Sequence, residues 1–342
     1  MKKWDEEPVP VSQIGTRNLS PHPTLAPVCY YRLYLSQYVL EMRWGYMIKH
    51  YTIHYQHGVG VENEDAYVLN EEAGIFAVID GATGIGGLPG KLSSATMKES
   101  LDTSESGTTL FQEVTRANQE VGKRNAEQNG HDHIDNVPRQ DRSTCGMAAI
   151  KLYESGQMEF AHTGDCMLFI EYSNNDIRCV TYDHVSKFDS VTIASVEQTW
   201  DELLEPGENP NTWSEDRIEQ ALRDIREKNM PILKRNRSNI NKKHGYSIID
   251  GSKDAEQFME HGKLYLHNAT RILMLSDGLQ LPDSKANGQQ VWMETATYAF
   301  DHGLEKLQEK VNHLEKEDPA CIRYPRLKQA DDKTGVLIEL IE

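Results

Sequence analysis

Carboxylates set directly against apolar strands are what most restrict the fold of this chain. A short continuous apolar run reads as a buried strand, and a charge at its end must find water, a partner or a cation. Phe76-Ala77-Val78-Ile79 runs into Asp80-Gly81, and Ile272-Leu273-Met274-Leu275-Ser276 runs into Asp277-Gly278. Asp331-Asp332 stand just before the closing strand, Asp165 lies between two strands, and Glu64-Asp65 precede a strand at 66–70. One Asp-Gly at a strand end reads as a turn. Five carboxylate sites of this kind predict something more. If the strand ends converge, the carboxylates share a small volume and their repulsion must be offset. Divalent cations do that, and an all-oxygen ligand set favours magnesium or manganese over zinc.

Strands dominate the rest of the pattern. Residues 47–55 alternate and predict a strand. A meander is expected through 143–153, 157–162, 167–172 and 177–181, with turns at Gly156 and Asn174-Asn175. Leu110, Val114, Ala117 and Val121 form one apolar stripe on a helix, as do Leu304, Leu307, Val311 and Leu314. Residues 185–262 read as a polar, irregular, flap-like insert with a charged helix over 213–228 and a locally basic Lys234-Arg235-Asn236-Arg237. Residues 1–46, interrupted by five prolines, are expected to be a poorly ordered extension of a domain spanning 47–342.

Charge and cysteine usage narrow the function. Lys and Arg number 36 against 53 Asp and Glu, a formal net charge of −17. No basic stripe offers itself to nucleic acid, and the acidic balance disfavours anionic membrane surfaces. An anionic substrate remains compatible if cations sit in the site. The five cysteines are widely spaced with no CxxC pair. They read as free thiols of a reducing compartment, so a cytoplasmic location is expected. No apolar run reaches the length of a membrane span, and the acidic N-terminus does not read as a secretory signal.

The ordered motifs resemble the metal-dependent protein phosphatases of the phosphatase 2C type. The blocks are Glu62-Asn63-Glu64-Asp65-Ala66-Tyr67, Phe76 to Gly84, Ser143 to Ala148, Ala161-His162-Thr163-Gly164-Asp165-Cys166, Leu273 to Leu279, and Asp331-Asp332-Lys333-Thr334. Thr181-Tyr182-Asp183-His184 is a weaker match. The resemblance covers about 47–342 in the family's order. It implies an α+β fold, a four-layer α-β-β-α sandwich of two antiparallel sheets flanked by helices. It implies hydrolysis of phosphoserine or phosphothreonine by a water bridging two Mn2+ or Mg2+ ions, with a third, weaker ion. Asp80 would bridge two metals and Gly81 would offer its carbonyl. Asp277 and Asp331 would hold the other metal, Asp165 would serve the third with Asp277, and Glu64 and Asp65 would act on the site directly or through water. The partner would be a phosphoprotein or phosphopeptide, and the protein a monomer.

Two departures matter. Many members carry a phosphate-gripping arginine four residues before the glutamate, where this chain has Gly60. Arg142, Arg235 and Arg237 are candidate replacements, with solvated surface charge as the plain alternative. The missing arginine also keeps open a catalytically silent, phosphoprotein-binding role. A histidine that some members place after Asp-Gly is here Ala82. The segment Gly84 to Lys91 fails the nucleotide phosphate-loop spacing, because Lys91 is followed by Leu92 and no glycine stands five before Gly90. His162 and His184 read as hydrogen-bonded structural groups, with metal ligation or proton transfer as the alternative. Cys145 and Cys166 read as small core residues.

Overall fold

The structure is a computed structural model that describes residues 48–283 and 288–341. The expected extension at 1–46 lies outside the described residues. The strands are β1 (Ile48–Gln56), β2 (Ala66–Asn70), β3 (Ile75–Ala82), β4 (Thr144–Leu152), β5 (Gln157–Thr163), β6 (Met167–Tyr172), β7 (Ile177–Cys179), β8 (Glu260–Tyr265), β9 (Ala269–Leu275) and β10 (Lys333–Leu340). The helices are α1 (Lys91–Asp102), α2 (Leu110–Gln128), α3 (Ser186–Leu203), α4 (Glu215–Arg237), α5 (Lys253–Phe258), α6 (Gly288–His302) and α7 (Leu304–Glu317).

Two five-stranded antiparallel sheets form, in the orders β1-β10-β9-β6-β7 and β2-β3-β4-β5-β8. Strand side chains alternate between faces, and the buried residues divide accordingly. Ile75, Ala77 and Ile79 of β3 pack with Met97 and Leu101 of α1 and Val114, Ala117 and Val121 of α2. Phe76 and Val78 face the other way, against Leu168, Ile170, Met274 and Val336 of the opposite sheet. On the far side, Phe169, Leu273 and Leu337 meet Trp292 and Ala296 of α6 and Leu307 and Val311 of α7. Three apolar layers therefore separate four layers of secondary structure, the α+β sandwich expected.

Two local expectations fail. The stretch 143–181 is not one meander. β4 and β5 belong to one sheet, while β6 and β7 belong to the other. Residues 163–167 carry the chain across, because Gly164 adopts a left-handed φ of +78° that lets it turn there. Residues 185–262 are not irregular either. They hold α3, α4 and α5, and α3 and α4 bury Val196, Trp200, Ile218 and Ile225 in a small core of their own with Ala320. Their exposed faces are so polar that this narrow apolar stripe was hidden. The helix expected over 213–228 continues to Arg237 through Pro231, and its last turn carries Lys234, Arg235 and Arg237, where cations suit the helix dipole.

Candidate active site

Strand parity explains how the site assembles. Asp80 shares the face of Phe76 and Val78, so it continues the inter-sheet layer past its apolar end. Ser276 and Thr334 continue the same faces beyond Met274 and before Val336 of the other sheet. The end of β9 meets the start of β10, with the Ser276 amide donating to the Thr334 carbonyl at 2.9 Å. Polar groups from both sheets thus collect at one end of the sandwich.

Two glycines permit the close approach. A Cβ on Gly81 would lie 2.3 Å from the Glu64 carbonyl oxygen, and one on Gly278 would lie 1.8 Å from that of Asp332. The first contact presses the 62–65 loop onto the end of β3. The second presses the 331–332 segment onto the loop that carries Asp277.

At the centre, Asp80, Asp165 and Asp277 each offer a carboxylate oxygen, and these oxygens lie within 4.8 Å of one another. All three residues are partly open to solvent. Asp277 Oδ1 is shielded and has no hydrogen-bond partner among the described residues. Desolvation, then the charges of Asp277, Asp65, Asp165 and Asp331, pushes the Asp80 carboxyl well above the ordinary range. Asp165 moves the same way, through desolvation and then Asp277, Asp183 and Asp189. Asp277 rises to about 6, through desolvation and then Asp331. Such a cluster asks for positive charge; among the described residues Lys328 pairs with Asp331 and pulls the Asp277 value down, and the carboxyls still stand above the ordinary range.

The other expected residues surround it in different roles. Asp65 is fully buried, and its Oδ2 accepts from Thr334 Oγ1 at 2.7 Å and Ser276 Oγ at 2.9 Å. Its carboxyl rises to about 7, chiefly by burial, with the two hydroxyls working against the rise. Glu64 Oε1 accepts from Thr83 Oγ1 at 2.5 Å and from the Gly90 amide at 2.6 Å. Asp331 is ion-paired with Lys328. Asp332 spends both oxygens on backbone, accepting from Gly58 at 2.8 Å and Glu64 at 2.7 Å. It is a brace for the 58–64 loop.

Of the three candidate replacements for the missing arginine, Arg142 is corrected by the structure. Its guanidinium is buried, paired with Asp250 at 2.7 Å, and donates to the carbonyls of Val137 and Ile134 at 3.0 Å each. Arg235 is exposed on α4. Arg237 is pinned at the rim, donating to Thr144 Oγ1 at 2.6 Å and the Thr83 carbonyl at 2.8 Å. Sequence reasoning missed a better-placed group. A cleft of about 710 Å³ beside Glu64 and Asp331 is lined by Gly60 and also by Arg223, Arg226 and Lys328. Arg223 and Arg226 sit on the helix of the insert, where no motif marked them. The supporting hydroxyls Thr83, Ser276 and Thr334 were also missed, although each stands inside or beside a matched block. Asp189, on the first turn of α3, lies in the insert, where no motif marks it. Burial raises the thiols of both Cys145 and Cys166, which disfavours the thiolate a nucleophile needs.

The donor set fits hard divalent cations. The converging groups are all carboxylates, they repel one another, and one shielded oxygen has no donor. No family model matches the chain, and no curated protein matches it. Among solved structures, it is similar to the serine/threonine phosphatase PstP/Ppp of Mycobacterium tuberculosis at 18% identity, over 86% of this chain and 100% of that one, with a TM-score of 0.46. PstP has also been solved in complex with two manganese ions. The PPM Ser-Thr phosphatase MsPP from Mycobacterium smegmatis is 17% identical over 86% of this chain and 99% of its own, with a TM-score of 0.47. PppA of Pseudomonas aeruginosa is 16% identical over 86% and 100%, with a TM-score of 0.46.

Proposed function

We propose that this protein is a metal-dependent phosphatase acting on phosphoserine or phosphothreonine. The observation that carries the reading is the convergence of Asp80, Asp165 and Asp277 at the open end of the sandwich, next to a cleft whose lining sets Arg223, Arg226 and Lys328 among carboxylates that include Glu64 and Asp331. Asp80, Asp277, Asp331 and the Gly81 carbonyl would hold two Mn2+ or Mg2+ ions, and Asp165 with Asp277 a third. When bound, such ions supply an acidified water as nucleophile and charge to hold phosphoryl oxygens. The chain's own residues do the rest. Asp65, gripped by Ser276 and Thr334, is a fixed carboxylate behind the cluster. Glu64 is held by Thr83 and Gly90 at the cleft wall. Arg226 and Lys328 offer positive charge to an incoming phosphate, in place of the arginine missing at Gly60.

An active enzyme is favoured over a silent binding relative by the carboxylate cluster Asp80, Asp165 and Asp277, which a phosphate-binding surface alone would not need. Phosphopeptide hydrolysis assayed with manganese and with chelator tests the reading. Turnover unaffected by chelation rejects it.

A further inference from the structure

A second cluster of metal-ligating side chains stands apart from the carboxylates. His162 on β5, His184 before α3 and Glu260 at the start of β8 each offer one ligand atom, all within 4.8 Å of one another. We propose that these three residues form a site for a zinc-class divalent cation that clasps the neck of the 185–262 insert. This inference does not depend on the phosphatase reading.

The distances suit metal ligation better than a hydrogen-bonded triad. His162 Nδ1 is 3.4 Å from Glu260 Oε2, and His184 Nε2 is 3.7 Å from the same oxygen. Both exceed the roughly 2.7–3.2 Å of an N–H···O bond. A tetrahedral zinc with ligands at about 2.0–2.1 Å has ligand-to-ligand edges of about 3.3–3.4 Å. Further, neither ring nitrogen of His162 nor Glu260 Oε2 has a hydrogen-bond partner among the described residues, although these atoms are shielded from solvent. His162 is fully buried. A shielded imidazole nitrogen and a shielded carboxylate oxygen, both without a hydrogen-bond partner and within 4.8 Å of the third ligand atom, are satisfied together by one cation.

The chemistry of the donors agrees. Two imidazoles and one carboxylate make a borderline set suited to zinc, unlike the all-oxygen cluster at Asp80. His184 Nδ1 is 2.6 Å from Ser247 Oγ. With Nδ1 as the donor, Nε2 keeps its lone pair for a metal, the usual outer support of a ligating histidine. Burial lowers the His162 pKa, which favours the neutral, ligating form. Glu260 and His184 are partly exposed, so the cluster lies close to the surface, where an ion could reach it.

The position gives the site a consequence. His184 and Glu260 flank the insert at its two ends, and His162 lies three residues before Asp165. The His184 amide donates to the Gly164 carbonyl at 3.1 Å, and the Gly164 amide donates to the Ser247 carbonyl at 2.9 Å. A cation here would tie both ends of the insert to β5 and steady the turn that presents Asp165.

The test uses the full chain stripped of metal and titrated with Co2+, whose tetrahedral complexes absorb strongly in the visible and whose six-coordinate oxygen complexes absorb weakly. Zn2+ then competes. The expected result is one equivalent of strongly coloured Co2+ displaced by Zn2+. The signal is lost in His184→Ala and Glu260→Gln and retained in Asp277→Asn. Affinity for zinc should fall at least about tenfold in Glu260→Gln, a partly exposed change that spares the core if His184→Ala fails to fold. No coloured complex in the wild type, or colour lost in Asp277→Asn but kept in both clasp variants, overturns the proposal.

Discussion

Asp80 and Asp277 come from opposite sheets, nearly two hundred residues apart in the chain, and bring carboxylate oxygens within 4.8 Å of each other and of Asp165. Nothing in the local sequence of either residue requires this. It follows from β3 ending where β9 ends, at the same edge of the inter-sheet core.

The crowding makes the metal-free protein sensitive to pH. The folded-state values of Asp277, about 6, and Asp65, about 7, lie above an ordinary aspartate. Over that interval the folded state binds more protons than the unfolded state, so stability falls as pH rises. The contribution is complete below about pH 4 and is lost as pH passes through about 6 and about 7. In chelator, Tm should be higher near pH 5 than near pH 8. Saturating manganese should remove or reverse that difference, and Asp277→Asn should raise Tm in chelator near pH 8. A metal-free Tm that climbs steadily from pH 5 to pH 8 would contradict the crowding.

Thr334 and Ser276 favour the charged form of Asp65 against the burial that raises its pKa. Thr334→Val removes the 2.7 Å hydrogen bond to Oδ2, so the Asp65 pKa should rise further. The acid limb of the activity–pH profile, measured with saturating manganese, should move to higher pH. Stability at neutral pH should fall by about 1.5–3 kcal/mol, the weight of a hydrogen bond to a charged group. An unmoved profile would mean that Asp65 is only a structural carboxylate.

Arg226 is exposed on α4 and lines the cleft. Arg226→Ala should raise KM for a phosphopeptide about fivefold with kcat nearly unchanged, the signature of lost ground-state binding. The effect should shrink as salt is added. Equal loss in kcat and kcat/KM would place the residue on the transition state instead.

Arg142 should matter to folding rather than to substrate. Its partner Asp250 is fully buried, so Arg142→Ala strands a charge and should cost about 3–5 kcal/mol. Chemical denaturation measures this. A variant with wild-type stability but weakened substrate binding would return Arg142 to the phosphate-gripping role.

The legible parts of the fold are those where one residue pattern reports directly on burial. Phe76 to Ile79, Ile272 to Leu275 and the stripe from Leu110 to Val121 were readable because sheet and helix periods leave unmixed signals. The inner aspartates were readable because a charge beside such a run is costly. Helix α3, and the packing of α4 against it, were hidden because the two bury few apolar residues, against each other rather than on a sheet. The crossing from β5 to β6 was hidden because a strand–Gly–Asp–strand stretch reads the same whether the next strand pairs or leaves. The brace at Asp332 and the cleft cations Arg223 and Arg226 depend on contacts more than a hundred residues distant. A sequence without its fold does not display these.

The most direct test is a manganese titration of phosphopeptide turnover in the wild type, Asp80→Asn and Asp277→Asn, with an exposed surface aspartate such as Asp176, changed to Asn, as control. Asp332→Asn cannot serve, because its two oxygens hold the 58–64 loop. Asn keeps the shape of Asp but is a poorer ligand for hard cations. The wild type and Asp176→Asn should be inactive in chelator and fully activated by manganese. Asp80→Asn and Asp277→Asn should lose at least about a hundredfold in turnover and need more metal for half-activation. Near-normal turnover in both inner variants, or full wild-type activity after exhaustive metal removal, would contradict a metal-dependent phosphatase at this site.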